Sequence, residues 1–252
     1  MPGRTTAASD SILNSSLNYF VAVAIETVLV VPRNEMLNVA NVTRRGGLAL
    51  ARPREFDEEE VLDAAIECFW RRGLEATSVR DLAEATGVNQ PSLYNAFGDK
   101  RELFAQALER YATRSMRDRI ERLEQKHPPK EAIRAFFREL VSRTLSDPDR
   151  RGCLIVNSAL EVAPHDAELR AVIASYLGEI EAFFCRCLEQ LGASGDLSPS
   201  LDPKDTARLF LGILLGVRVA ARAKPERALL EGMVRPALAL LDDRGPSRIA
   251  RQ

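Results

Sequence analysis

The sequence predicts an all-α fold: a three-helix unit carrying a helix-turn-helix, followed by a larger helical domain. Two observations point to it. Three capped helix starts and one glycine turn fall within residues 77–100, TSVRDLAEATGVNQPSLYNAFGDK. Beyond them, apolar residues recur at helical spacing with no competing strand alternation. At 252 residues and 46% apolar content, the chain has room for two domains and an additional segment.

The first helix of the unit starts where Asp57 and Glu60 can form a capping box, with Phe56 and Val61 at the two positions of a hydrophobic staple. Val61, Ala64, Ala65, Cys68 and Phe69 then form one apolar stripe, and Gly73 follows as its terminator. Ser78 caps the second helix with Asp81 as the reciprocal acid, and Gly87 stands where a closing residue adopts positive φ. Asn89 caps the third, Pro91 is tolerated in a first turn that lacks intrahelical acceptors, and Leu93 and Phe97 share the inner face. Gly98 ends it. Asp99 with Glu102 opens a longer helix that runs through Arg114 and Arg119 to Pro128 and Pro129.

A major groove admits one α-helix whose N-terminal residues meet the base edges, and the third helix has that form. With Leu93 and Phe97 inward, Gln90, Pro91, Ser92, Tyr94 and Asn95 lie on or near the open face. Gln and Asn amides pair bidentately with adenine, Ser donates or accepts, Pro packs on a thymine methyl, and a Tyr hydroxyl reaches phosphate. Lys100 adds charge at the start of the next helix.

The run from residue 56 to 108 resembles the DNA-binding domain of TetR/AcrR-type transcriptional regulators. The resemblance lies in the T-S-V-R-D-L-A start, the G-V turn, the S-L-Y-N-A-F reading helix and the G-D-K-R-E-L-F exit. It implies a DNA-binding domain at residues 54–114, with its helix-turn-helix at about 78–97. It also implies DNA contacts from Thr77, Arg80, Gln90, Ser92, Tyr94 and Lys100, with Ser78 and Asn89 standing both as caps and as contacts. The family's Tyr-x-His-Phe is Tyr94-Asn95-Ala96-Phe97 here, so the contact of that histidine does not carry over.

A net charge of -1 gives the whole chain no basic signature. Phosphate contact needs only local donors, and Arg71, Arg72, Arg80, Lys100 and Arg101 cluster in sequence around the unit. The missing histidine and the acidic balance leave an alternative of the same fold, a small-molecule or protein-binding module without specific DNA binding.

Residues 115–244 read as a helical ligand-binding and dimerisation domain, with helical patterns at 132–145, 153–162, 167–191, 203–223 and 226–241. Leu209, Ile213, Leu214 and Val217 on one helix, with Leu229, Met233, Leu238 and Leu241 on the next, supply a dimerisation surface, and Gly212 and Gly216 permit close approach. The resemblance implies a homodimer that reads a near-palindromic double-stranded operator and releases it on binding a small-molecule effector.

The middle helices are expected to hold that effector. Phe137 and Phe183 are expected to line an apolar cavity, together with Phe136, Val156, Leu160, Ile180 and Phe184, while Asn157, Tyr176 and Cys153 supply its polar points. Residues 151–157, RGCLIVN, resemble a G-C-L segment found in family branches that include regulators sensing electrophiles or oxidants. Cys153 follows a glycine at a helix start, where amide dipoles favour a thiolate; a sensing thiol and a small buried apolar residue are both open readings.

Cys68, Cys153, Cys185 and Cys187 show no paired C-x-x-C spacing and the chain has two histidines, so neither a zinc set nor any other cofactor is expected. No nucleophile, base and orienting acid assemble around His127 or His165, which excludes an enzyme reading. The apolar stretch at residues 21–31 is interrupted by Glu26 and too short to span a bilayer, so the expectation is a cytoplasmic protein with no membrane segment. Residues 1–53 read as a disordered or mis-assigned extension, with Met36 a candidate start, or else as an arm using Arg44, Arg45, Arg52 and Arg54 near a minor groove. Residues 245–252 read as a flexible tail.

Overall fold

The computed structural model describes residues 56–243. The expectations for residues 1–53, for the apolar stretch within them and for the tail at 245–252 lie outside the described residues.

Helix α1 spans Glu58–Ala76, α2 Val79–Thr86, α3 Gln90–Phe97 and α4 Lys100–Ala112. The Asp57 side chain caps α1 by accepting from the Glu59 amide at 2.8 Å; the reciprocal bond expected from Glu60 is not formed. At Gly73 the backbone leaves the helix with φ 82° and ψ 175°, so the predicted terminator does break α1. A Cβ there would strike the Glu161 carboxylate as well as strain the backbone, so both conformation and space call for glycine. Ser78 and Asp81 form both halves of their capping box, and Gly87 closes α2 at φ 69°. Asp99 and Glu102 repeat the box at α4. Leu82, Leu93, Phe97, Phe104 and Phe69 are buried together, with the Phe69 and Phe104 rings edge-on at 5.0 Å.

The exit helix does not run straight to Pro128. It passes through a π-helical turn, Thr113–Arg117, before α5, Asp118–Lys126. Residues eight apart on a straight α-helix are about 80° out of register, and the looser π turn removes most of that offset. Arg117 can therefore ion-pair with Glu109 on its own helix while bonding Glu179 at 2.7 Å.

The second part comprises α6 Pro129–Leu145, α7 Leu154–Glu161, α8 Ala167–Ser194, α9 Pro203–Ala223 and α10 Arg227–Ala239. α8 runs past Gly192 and ends at Gly195, φ 79°, where the helix adopts its left-handed closing residue. Its centre is an aromatic cluster. Phe137 stacks on Phe184 at 5.5 Å and 7°, and Phe210 of α9 meets both rings edge-on. No helix among the described residues is long and apolar enough to cross a membrane.

Candidate nucleic-acid interface

α3 presents Gln90, Pro91 and Asn95 to solvent, with Ser92 and Tyr94 half-buried beside them and Leu93 and Phe97 buried beneath. Asn89 spends its side-chain oxygen on the Ser92 amide at 3.0 Å, which leaves only its NH2 group to face outward. Ser78 is more fully used, since its hydroxyl donates to Asp81 Oδ2 at 2.7 Å and accepts from the Asp81 amide at 3.1 Å. The Ser78 hydroxyl and the Ser78 amide, which donates to Oδ2 at 2.9 Å, together with the Arg72 guanidinium bring the Asp81 carboxyl down to about 2.

Of the expected contacts, Thr77 is corrected by its burial and Lys100 carries a second, structural role. Thr77 is 0% exposed and donates from Oγ1 to the Gly73 carbonyl at 2.5 Å, so its side chain belongs to the turn after α1 and cannot reach DNA unless that turn opens. The Lys100 ammonium donates to the carbonyls of Leu74 at 2.9 Å and Thr77 at 3.1 Å, which leaves one of its three N–H groups for a phosphate. Its first task is to close the end of α1 against the start of α4.

The expected basic cluster is largely neutralised within the fold. Arg72 ion-pairs with Asp81, Arg71 lies 3.8 Å from Asp149, and Arg101 bonds Asp166 at 2.5 Å and Glu168 at 2.6 Å. Arg80 is exposed and has no ion pair among the described residues, so it is the free cation at this surface. Nothing in the sequence signalled the Arg101 pairing, which joins residues 65 apart and uses the carboxylate that caps α8. Its partner Asp166 is held well below the usual carboxylate range by the Arg101 guanidinium first and by the Leu169 amide next.

A cavity of about 290 Å³ lies between α1, α4, the π turn, α5, α6, the loop before α7, α7, α8 and α9. Cys153 is on its wall at the N-cap of α7, and the Tyr111 hydroxyl donates to Sγ at 3.8 Å. Phe136, Val156 and Ile180 line it as expected. Phe137 and Phe183 do not; both are fully buried in the aromatic cluster, Phe137 against Phe184 and Phe210 and Phe183 against Phe136 and Phe184. Tyr176 is not on the wall either: its hydroxyl donates to Glu109 at 2.7 Å. Asn157 bonds the Arg151 carbonyl at 2.8 Å and receives Arg222 at 3.0 Å, so its amide braces the loop before α7. Leu160 is 67% exposed and faces solvent. Burial pushes the Cys187 thiol up to about 12 and raises Cys68 and Cys185, which leaves those three thiols protonated.

The architecture has known counterparts. Residues 61–107 match the family model described as bacterial regulatory proteins, tetR family, and residues 129–237 match a tetracyclin repressor-like C-terminal domain. The HTH-type transcriptional regulator YezE of Bacillus subtilis strain 168 is 35% identical over 195 residues, 77% of this chain and 100% of the relative. The chain belongs to the TetR family. TetR-family proteins are DNA-binding transcriptional regulators rather than enzymes, and they pair as homodimers. The repressor ComR of Escherichia coli K12 is 30% identical over 184 residues, 73% of this chain and 86% of ComR. Among solved structures, a cysteine mutant of the TetR-family regulator CifR, complexed with 26-base-pair operator DNA, superposes with a TM-score of 0.68. It is 35% identical over 75% of this chain and 98% of that one.

For a TetR-family homodimer, α9 and α10 offer an exposed apolar stripe. Leu209 is 45%, Val219 51% and Leu229 38% exposed, with Gly212 open between the first two. Leu214, Val217 and Leu241, expected on that surface, are buried in the protomer's own core. Val219 was missed, although it continues the helical repeat of Leu209, Gly212 and Gly216.

Proposed function

We propose that this chain is a cytoplasmic homodimeric repressor that reads a near-palindromic operator through α3 and releases it when the cavity is occupied or Cys153 is modified. The observation that carries the reading is the polar N-terminal half of α3, with Gln90, Pro91 and Asn95 exposed on a helix anchored by Leu93 and Phe97. That is the arrangement a major-groove reader needs. The operator complex of CifR, 35% identical, supports it. In this reading residues 54–114 bind DNA, and residues 115–244 bind effector and pair the protomers through the α9 and α10 stripe.

Release works by population shift: the effector favours a dimer shape whose two reading helices no longer match the half-site spacing. α7 is placed to transmit it. Its first turn borders the cavity at Cys153, and its last residue, Glu161, bonds the Glu75 amide at the end of α1.

Selection of bound fragments from genomic DNA, followed by footprinting, tests the proposal. One or more palindromic sites are expected, bound more tightly than random DNA at every salt concentration. Binding with no preference over random DNA would overturn it. A thiol-specific probe distinguishes the two release routes: labelling of Cys153 that frees the operator in the native chain, and not in Cys153→Ser, favours modification.

A further inference from the structure

The cavity wall carries more charge than an apolar effector would need. Arg119, Arg143, Arg150, Arg151, Arg218 and Arg222 line it, against the single lining carboxylate of Asp147. Asp147 is taken by Arg151, which also pairs with Glu67 at 2.5 Å and lies over the Trp70 ring. Arg143, Arg150, Arg218 and Arg222 have no ion pair among the described residues.

Arg119 is the most telling of them. It is 5% exposed, packs over the Phe136 ring at 4.1 Å and donates to the Phe136 carbonyl. Its Nε lies 3.2 Å from Glu139 yet makes no hydrogen bond. Glu139 is shared, since it receives Arg122 at 2.7 Å. Burial first, and then the neighbouring charges of Arg218, Arg143 and Arg122 against the pull of Glu139, bring Arg119 down to about 9. Arg119 thus has only a share of one carboxylate while buried among guanidiniums of like charge, and buried charge is costly unless fully paired.

The same wall also carries an apolar surface, with Met116, Phe136, Ile155, Val156, Leu177 and Leu214. We infer that the effector is an organic oxyanion, a carboxylate or phosphoryl head on an apolar body, whose head bridges Arg218 and Arg119 while its body lies on that wall. Guanidinium forks match such heads bidentately, and Arg218, held by Thr144 at 3.1 Å, is pre-positioned for one. The inference rests on the proposed effector role of the cavity and names the chemistry of its ligand.

The test is direct binding to the full chain without DNA, by calorimetry and thermal shift. Hexanoate and hexyl phosphate are compared with hexanamide, hexanol and inorganic phosphate at matched ionic strength. Binding of one or both organic anions, weakened about ten-fold or more by Arg218→Gln, is the expected result. Arg119→Gln serves as a second variant should the first unfold. Equal binding of hexanamide or hexanol, no binding by either organic anion at millimolar concentration, equal binding of inorganic phosphate, or no effect of the arginine variants would each overturn it. Operator affinity is measured separately, so loss of DNA specificity would count against the repressor reading and leave the anion site standing.

Discussion

The Glu161 carboxylate accepts a hydrogen bond from the Glu75 backbone amide at 3.1 Å, joining the end of α7 to the end of α1 across 86 residues. Eight helical residues rise about 12 Å, so this contact and the cavity at Cys153 are the two ends of one short rigid element. A displacement of α7 by a ligand must either carry the reader with it or break that bond.

Replacing Glu161 should therefore uncouple the two parts. Glu161→Ala is expected to cost about 1 kcal/mol in urea unfolding, the usual net worth of one such bond, and to reduce the effect of effector on operator affinity. Gly73→Ala should cost more than about 1 kcal/mol because φ is positive. Part of that cost should vanish in the Glu161→Ala background, where the steric clash is gone but the backbone strain stays. Strictly additive costs would show that the carboxylate does not press on this turn.

On the reading helix, Gln90→Ala and Asn95→Ala should each weaken operator binding by about 1–3 kcal/mol and relax sequence preference. Neither should lower the thermal midpoint, because both side chains are exposed. Arg80→Ala should instead weaken binding evenly across sequences and reduce the salt slope by about 1. Unchanged affinity in all three variants, measured by fluorescence anisotropy, would reject this docking.

Phe137→Ala is expected to destabilise the chain by about 3–5 kcal/mol, the range for emptying a buried aromatic site. Phe137 is 0% exposed and touches the rings of Phe136, Phe184 and Phe210. A loss of effector binding with stability intact would return it to the cavity wall.

Leu209→Glu and Val219→Glu should each convert the dimer to monomer in sedimentation experiments and lower operator affinity, with helical content unchanged. The same change at Val217, 0% exposed, should unfold the protomer. Dimers that survive both surface variants would place the interface elsewhere.

Acid should loosen α1 from α4 within the DNA-binding unit. Hydrogen bonding from Arg110 first, opposed by desolvation and helped by Arg114, lowers the Asp63 carboxyl from 3.8 to about 2. A group depressed in the folded state binds fewer protons there than when unfolded, so its contribution is present above 3.8 and is lost as the pH falls through about 2. Asp63→Asn is expected to be less stable at neutral pH and to lose less stability across that window, followed by circular dichroism. An acid transition of the same size in the variant would assign the effect to other carboxylates.

How much of this was readable in advance depended on range along the chain. The caps at Ser78, Asn89 and Asp99, the breaks at Gly73 and Gly87, and the inward pair Leu93 and Phe97 all follow from residues within a turn or two of each other. Steric limits on φ, capping and helical periodicity act at that distance, so the reader was legible almost residue by residue. The exceptions inside it, Thr77 and Lys100, were drawn inward by carbonyls at the end of α1 that only the folded turn brings near.

The sequence by itself determined the helices and the polar face that a groove would meet. The tertiary structure decided which apolar stripe is core and which is open, separating Leu214 and Val217 from Leu209 and Val219. It also turned Phe137 and Phe183 away from the cavity, and gathered arginines from α5, α6 and α9 around one space. Helical spacing says that a residue faces a neighbour but not which one, and charges a hundred residues apart interact only once packing has set their distance.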